Sequence, residues 1–206
     1  MPRHPDAAFG FIPWGPVLHS QLYCVQTGPT IAFFHGDPVQ HGGTALSTPW
    51  GWMPIVEDGD VVATGDLLLG AVIAVFDEDM YPLKYIAIDR AGDALIAGYV
   101  LVADHPDQLF IIQEDCDTTP IPATSIEMNA DLVPPTTNNG DTTSGRSKCE
   151  IDSDTAAATY DLHVKLMYPH PEDTIPGVDG SYHTRWIVKI NAHAKGDNII
   201  GQVTTT

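Results

Sequence analysis

The clearest pattern along this chain is the alternation of apolar and polar residues in its last third. Residues 160–166 (YDLHVKL) and 185–193 (RWIVKINAH) place apolar side chains at every second position. Successive side chains of a strand point to opposite faces, so each segment has one face for a core and one for polar surroundings. Both segments are predicted to be strands, and to be partners in one antiparallel sheet.

Residues 67–76 show a different pattern, a nearly unbroken apolar run between two turn signals. Its β-branched content and the flanking turns predict a strand buried on both faces, while a buried helix remains the alternative. Shorter apolar runs bounded by Gly, Pro and Asp predict further strands, at residues 17–25, 31–34, 84–88, 98–103 and 108–113.

Two regions without such patterns are predicted to be loops. Residues 38–54 are rich in Gly, Pro and Trp, and we expect a loop in which Trp50 and Trp52 serve as anchors. Residues 115–149 are mostly Thr, Pro, Asn, Asp, Ser and Gly. They contain one apolar island, at 126–132, that we expect to be ordered by packing.

Composition favours β structure over helix. The chain has 206 residues with 18 Gly and 17 Pro, and most of its acids are Asp, a poor helix former that prefers turns. Many short strands with scarcely any helix predict a mainly β fold, either a β-sandwich or a jelly-roll-like barrel with long loops.

The N-terminal residues 1–16 are expected to form an extended arm. Pro and Gly exclude a helix here, yet Phe9, Phe11, Ile12 and Trp14 are too apolar to be left in water. The arm therefore packs either on its own domain or on a neighbouring subunit, and the sequence leaves both open. Residues 17–206, which include the polar loop region 115–149, are predicted to be a single β domain.

The net charge of the chain argues against several classes of binding partner. With 27 acids against 9 bases, the net charge is −18, so we expect no nucleic-acid partner and no docking on an anionic membrane. The sequence contains no run of 18 apolar residues, so no membrane-spanning helix is predicted. The first residues lack the apolar region of a secretory signal, so synthesis in a cytoplasm is expected.

Motifs for catalysis and metal binding are missing from the sequence. The histidines form neither H-x-H nor H-E-x-x-H, and Cys24, Cys116 and Cys149 form no C-x-x-C, so free thiols are expected. The acidic runs at residues 77–79, 115–117 and 152–154 begin an EF-hand pattern and then depart from it. We predict no enzyme activity and no catalytic, cofactor-binding or metal-binding residue.

Two alternatives stay open. Trp50 and Trp52 are suited to stacking on sugar rings, which would make the chain a carbohydrate-binding β-sandwich, adhesin-like, on a virion or a cell surface. His163 and His193 lie on the polar faces of their predicted strands and can approach each other across a sheet. Such a pair, with nearby acids, would suit a metal-dependent enzyme.

A series of short segments, taken in order, resembles a family of tailed-phage structural proteins. The series covers most of the chain, at residues 5–13 (PDAAFGFIP), 36–39 (GDPV), 69–72 (LGAV), 102–110 (VADHPDQLF), 113–114 (QE), 128–131 (MNAD), 144–147 (SGRS), 150–152 (EID) and 186–193 (WIVKINAH). The residues at 169–173 (PHPED) depart from the family, whose members tend to carry an Arg and an Asn in this loop.

The resemblance implies a capsid decoration or cement protein, which binds the outer surface of the major capsid protein shell and stabilises it. It further implies a β-sandwich that is commonly a homotrimer, is made in the host cytoplasm and resides on the virion exterior, without enzyme activity or cofactor. On this basis we expect the arm residues to be the interface, namely Phe9, Phe11, Ile12 and Trp14.

Overall fold

Strands dominate the computed structural model, which describes residues 7–58, 67–91, 95–115, 119–133, 140–159, 162–173 and 183–196. The prediction of a mainly β fold is confirmed. In chain order the strands are β1 (Ile12–Pro13), β2 (Ser20–Gln26), β3 (Phe33–Phe34), β4 (Pro38–Thr48), β5 (Gly51–Asp58), β6 (Gly70–Phe76), β7 (Pro82–Leu83), β8 (Tyr85–Ile86), β9 (Ile96–Ala103), β10 (Leu109–Gln113), β11 (Asn129–Ala130), β12 (Gly140–Asp141), β13 (Arg146–Ser147), β14 (Val164–Pro169) and β15 (Arg185–Ile190).

Helical structure in the described ranges is limited to short 3₁₀ turns such as Ala123–Ser125 and Ser153–Thr155. None of the described residues belong to a helix of the length and apolarity needed to cross a membrane.

Five strands close into a small barrel. The order β4-β5-β2-β9-β6 is completed by pairing of β4 with β6, in which Val39 lies opposite Gly70. All of these pairings are antiparallel except that of β2 with β5, which run parallel. Inward-facing side chains from all five strands, with Leu69 just before β6, form one apolar cluster, which contains Tyr23, Val25, Val39, Val56, Leu69, Val72, Val75, Ala97, Val100 and Val102.

Gly70 makes the closure possible because β6 must approach both β4 and β9 there. A Cβ atom on residue 70 would lie 2.1 Å from the carbonyl oxygen of Ala103. That oxygen belongs to the backbone of a paired strand and has little room to move. Only glycine fits at this position.

A five-stranded sheet of order β1-β10-β15-β14-β11 packs against the barrel. The predicted pairing of the two alternating segments is confirmed, since β14 and β15 are antiparallel with Leu166 opposite Val188. The sheet buries Trp186 in an apolar cluster that also contains Ala71 and Ala103 from the barrel strands. One core therefore joins the two sheets in a sandwich-like arrangement.

The expectation of a loop at residues 38–54 is wrong, because β4 and β5 form a long hairpin there. The register shifts between His41 and Ala45, where the small residues Gly42 and Gly43 form a bulge. This bulge bends the hairpin and interrupts the alternation of its side chains, so no strand period is visible in the sequence.

The polar region 115–149 contains more structure than its composition suggests. The predicted island at 126–132 is ordered through β11, which pairs with β14, and through Ala130 and Leu132, which are buried in the core. Further along, β12 and β13 form a small hairpin. Residues 116–118 and 134–139 lie outside the described ranges.

The barrel closure predicts a large effect of Gly70→Ala. The added methyl group would clash with the Ala103 carbonyl and force β6 away from β9, so we expect a loss of several kcal/mol in the free energy of unfolding. Gly28→Ala is the matched control: its φ is +70°, but the space around its Cβ position is open, and only about 1 kcal/mol of backbone strain is expected. Equal urea midpoints for the two variants would contradict the closure.

Candidate functional site

The four predicted arm residues differ in how deeply they are buried. Phe11 is only 1% exposed and lies in the chain's own core, where its ring meets Phe110 edge-on at 5.4 Å between centroids. Ile12, by contrast, is 37% exposed. Its strand, β1, forms the edge of the five-stranded sheet by pairing with Ile111 on β10. Of the two packing modes left open by the sequence, the described part of the arm adopts the first.

Phe9 and Trp14 are both partly buried against the same domain. The Trp14 backbone N–H donates to the Leu109 carbonyl at 2.8 Å, and its ring meets His170 edge-on at 5.1 Å between centroids. Phe9 lines a cavity of about 390 Å³ together with Ile73 and others. Hydrogen bonds and ring contacts thus hold the arm on the domain from residue 9 to residue 14.

A close approach of two glycines fastens the start of the arm. The Phe11 N–H donates to the Gly36 carbonyl at 2.8 Å, and a Cβ on Gly10 would lie 2.5 Å from that same carbonyl oxygen. Gly10 and Gly36 both have positive φ, of +68° and +92°. The segments 5–13 and 36–39, which carry part of the family resemblance, therefore meet in space at these glycines.

The loop at residues 169–173, where the chain departs from the family pattern, is tied to β15 by an ion pair. Asp173 is almost fully buried, and its carboxylate accepts the Arg185 backbone N–H at 2.7 Å and two guanidinium N–H groups at 2.5 and 3.0 Å. This carboxylate raises the pKa of Arg185. The loop is consequently a fixed feature on which the Trp14 ring rests through His170.

The expectation that Trp50 and Trp52 serve as anchors is wrong, because both side chains face solvent. Trp50 is 61% exposed and Trp52 is 77% exposed. Strand alternation explains this for Trp52, since Leu46 and Met53 occupy the inward positions of the hairpin and pack on the outer wall of the barrel, whereas Trp50 lies in the turn between the two strands. The two indole rings are therefore the largest apolar groups that the described surface offers to another molecule.

A buried polar network lies where β9 ends. Asp104 is fully buried, and its carboxylate accepts hydrogen bonds from the Tyr23 hydroxyl at 2.7 Å and from the Lys195 ammonium, with the His19 ring at 2.5 Å. Burial alone would raise the pKa of Asp104, but these partners together lower it. Burial and the neighbouring carboxylate raise the pKa of Tyr23 far above its usual range. The network therefore holds a buried carboxylate among hydrogen-bond partners from other segments of the chain.

A second buried carboxylate, that of Glu114, connects three segments of backbone. It accepts N–H groups of Ile121 at 2.9 Å and Thr184 at 3.1 Å, and the Trp186 indole N–H at 3.3 Å. Burial raises the pKa of Glu114. Each carboxylate oxygen accepts a hydrogen bond from the chain itself, so this group stabilises the fold and does not serve as a binding group.

The two histidines considered for a metal have separate partners. The His163 ring lies 2.6 Å from the Asp131 carboxylate, while His193 accepts the Lys195 backbone N–H at 2.9 Å. Across the described residues, no cluster of three or more His, Cys, Asp or Glu side chains is arranged to hold a metal ion. Cys24 and Cys149 are buried free thiols, and Cys116 lies outside the described ranges.

The acidic runs act as turn-forming groups where they are described. Asp77 accepts the N–H groups of Asp79 and Tyr81 at 3.0 and 2.8 Å, and Asp152 caps a 3₁₀ turn through the N–H of Asp154. These are the local side-chain to backbone bonds that Asp makes in turns.

Sequence reasoning missed both buried carboxylates for different reasons. Asp104 directly follows a buried strand, which is a weak signal, but its cation Lys195 is far away in the chain. Glu114 reads as a polar residue at a strand end, and its donors are backbone groups that no residue pattern reveals.

Comparisons with protein-family models, curated proteins and solved structures return no match. Function is therefore inferred from the chain's own residues.

The division of the arm predicts different stability effects for neighbouring residues. Phe11→Ala should lower the free energy of unfolding by about 3–5 kcal/mol, because it leaves a cavity beside Phe110. Ile12→Ala should cost less than about 1 kcal/mol, since the side chain is partly exposed at a sheet edge. Urea unfolding monitored by circular dichroism measures both, and a Phe11→Ala protein as stable as wild type would show that the arm is not part of the core.

The burial of His193 predicts that the free energy of unfolding falls as the solution becomes acidic. Burial lowers its pKa from 6.5 to about 4, so as the pH falls through this range the unfolded chain takes up a proton that the folded chain refuses. Relative to His193→Asn, which keeps an acceptor for the Lys195 N–H, wild type should lose about 3 kcal/mol of stability between pH 6.5 and pH 4.

The comparison with the variant isolates His193 because both proteins keep the buried acids Asp104 and Glu114. The lowered pKa of Asp104 places its loss of stability below pH 3.8, and the raised pKa of Glu114 makes its protonation favour the folded state. Parallel stability curves for wild type and His193→Asn over this range would refute the assignment.

Proposed function

We propose that this chain is a virion structural protein, a capsid decoration or cement protein that binds the outer surface of a tailed-phage major capsid protein shell and stabilises it. The ordered series of family-like segments runs from residue 5 to residue 193. Two of these segments, 5–13 and 36–39, meet at the contact of Gly10 with Gly36, so part of the series corresponds to one packing arrangement.

The observation that carries the proposal is the contrast between polar groups and exposed apolar groups. The buried carboxylates of Asp104, Glu114 and Asp173 are all satisfied by donors of the chain itself. Large apolar side chains, in contrast, face solvent on hydrogen-bonded strands, as Ile12 and Trp52 do. Exposed apolar side chains on hydrogen-bonded strands, beside buried carboxylates that the chain itself satisfies, suit an assembly surface.

The arm has a narrower role in this proposal than the sequence alone suggested. Phe11 supports β1 from inside the core, and Phe9 is partly buried beside it. Ile12, which is 37% exposed, and the solvent-accessible part of the partly buried Trp14 side chain are the candidate contacts with the shell. The arm is already ordered on its own domain, so it loses little further entropy on binding.

The remaining properties of the proposed protein follow from its charge and family resemblance. A net charge of −18 gives the genome no electrostatic attraction for it, so it binds neither nucleic acid nor an anionic membrane. We expect synthesis in the host cytoplasm, residence on the virion exterior, no cofactor, and a homo-oligomer for which a trimer is favoured.

One observation favours a second candidate, a carbohydrate-binding module. Trp50 and Trp52 are exposed as stacking residues must be. However, the Thr48 hydroxyl beside them is already engaged, since it donates to the Gly51 carbonyl at 2.8 Å, and it is not available to orient a sugar. Binding to a glycan array that is lost in Trp52→Ala would favour this candidate over the first.

The proposal predicts saturable binding to shells. Purified protein added to capsid shells that lack it should cosediment with them in a fixed number of copies per shell and should raise the temperature at which the shells fall apart. Ile12→Ser combined with Trp14→Ala should weaken binding at least tenfold while circular dichroism stays unchanged. Ile126→Ser, at an exposed position beside the five-stranded sheet, is the control. Binding that never saturates, or no binding to any shell, would refute the proposed function.

A further inference from the structure

The outer half of the β4–β5 hairpin, residues 45–54, forms a two-stranded ribbon beyond the Gly42–Gly43 bulge. Leu46 lies opposite Met53 on the inward face, and Ser47 lies opposite Trp52 on the outward face. Within the described residues, pairing of β5 with β2 is limited to Cys24 and Ile55, below this ribbon. The two outer edges of residues 45–54 therefore have no strand partner in the described part of the chain, although the Met53 carbonyl accepts the Cys24 thiol and Pro54 has no N–H to donate.

The ribbon is a firmly supported structure. Its inward side chains pack on a cluster that contains Cys24 and Tyr99, both nearly inaccessible to solvent. The turn is fixed by the Trp50 N–H, which donates to the Thr48 hydroxyl at 3.1 Å. The exposed indoles are thus presented in a defined position, which lowers the entropy lost when they bind a partner.

Charge is distributed unevenly along the chain, and the ribbon lies in its uncharged part. Residues 7–56 contain a single Asp, Glu, Lys or Arg, which is Asp37. Asp37 is buried and accepts the Phe34 N–H at 2.6 Å. All acids other than Asp6 and Asp37 lie beyond residue 56, and so do all bases other than Arg3. Nearly the whole net charge of −18 is therefore carried by the rest of the chain.

Free strand edges in monomeric proteins are normally protected by charged side chains, above all by Lys. Residues 45–54 contain no charged residue and expose two indole rings. Elsewhere, two copies of a chain with a net charge of −18 repel each other when their surfaces meet. Of the surfaces described, the ribbon combines free backbone groups, apolar side chains and the absence of repulsion between like copies.

We propose that this ribbon is the surface through which copies of this chain associate. Trp50 and Trp52 supply the apolar contact, and the free edges of residues 45–54 allow backbone pairing with the ribbon of a second copy. The inference concerns contacts between copies and is independent of binding to a capsid shell. It assigns a role to the two residues that the sequence favoured as anchors and the fold leaves exposed.

Sedimentation velocity of the full chain across a range of protein concentrations tests the proposal. Wild type should associate, and Trp50→Ser combined with Trp52→Ser should weaken the association at least tenfold. Ser47→Asp, which keeps both indoles and adds a charge opposite Trp52, should weaken it as well. Ile126→Ser should sediment like wild type. Circular dichroism and the urea midpoint should not change, since all of these side chains are exposed.

Salt dependence provides an independent readout. Added sodium chloride screens the repulsion between the charged parts of two copies, so the association constant should rise with salt. Monomeric wild type at every concentration, unweakened association of the Trp50→Ser/Trp52→Ser protein, or affinity that falls with salt would each overturn the proposal. If wild type stays monomeric and the Trp50→Ser/Trp52→Ser protein loses binding to shells or to glycans, the ribbon binds that partner and not a second copy, and the proposal is wrong.

Discussion

The pairing of β4 with β6 is the constraint on which the rest of the structure depends. It closes the barrel at Val39 and Gly70 and so fixes which side chains point inward. The opposite faces of β6 and β9 then supply Ala71 and Ala103, against which the five-stranded sheet packs. Both residues are small, and this lets the sheet approach closely enough to bury Trp186 between the two layers.

Barrel closure also determines what happens to the hairpin. The outer wall of β2 and β9 carries apolar side chains, Cys24 and Tyr99, that must be covered. The hairpin covers them by bending at Gly42 and Gly43, because a bulge there redirects the ribbon. The chain thus seals its own barrel wall and needs no partner to do so.

The sequence predicts those elements whose pattern is local and leaves out those whose cause is distant. Alternation in residues 160–166 and 185–193 predicts β15, the first half of β14 and their pairing, because period two directly reflects a half-buried strand, while the bulge after Leu166 hides the continuation of β14 to Pro169. The hairpin at 38–54 was missed since its bulge breaks that period. The burial of Phe11 and the charge partner of Asp104 depend on residues far along the chain, Phe110 and Lys195, which no local pattern identifies.

The exposure of Trp52 follows from the same alternation that buries Met53. When one face of a two-stranded ribbon packs on the barrel, every second side chain must point away from it. Because Leu46 and Met53 cover the barrel wall, the adjacent pair of Ser47 and Trp52 faces solvent. Ser or Thr at position 52 would satisfy that geometry without leaving an indole in water. The large apolar residue at this outward position is therefore unexplained by the fold of a single copy, and it points to contacts beyond one chain.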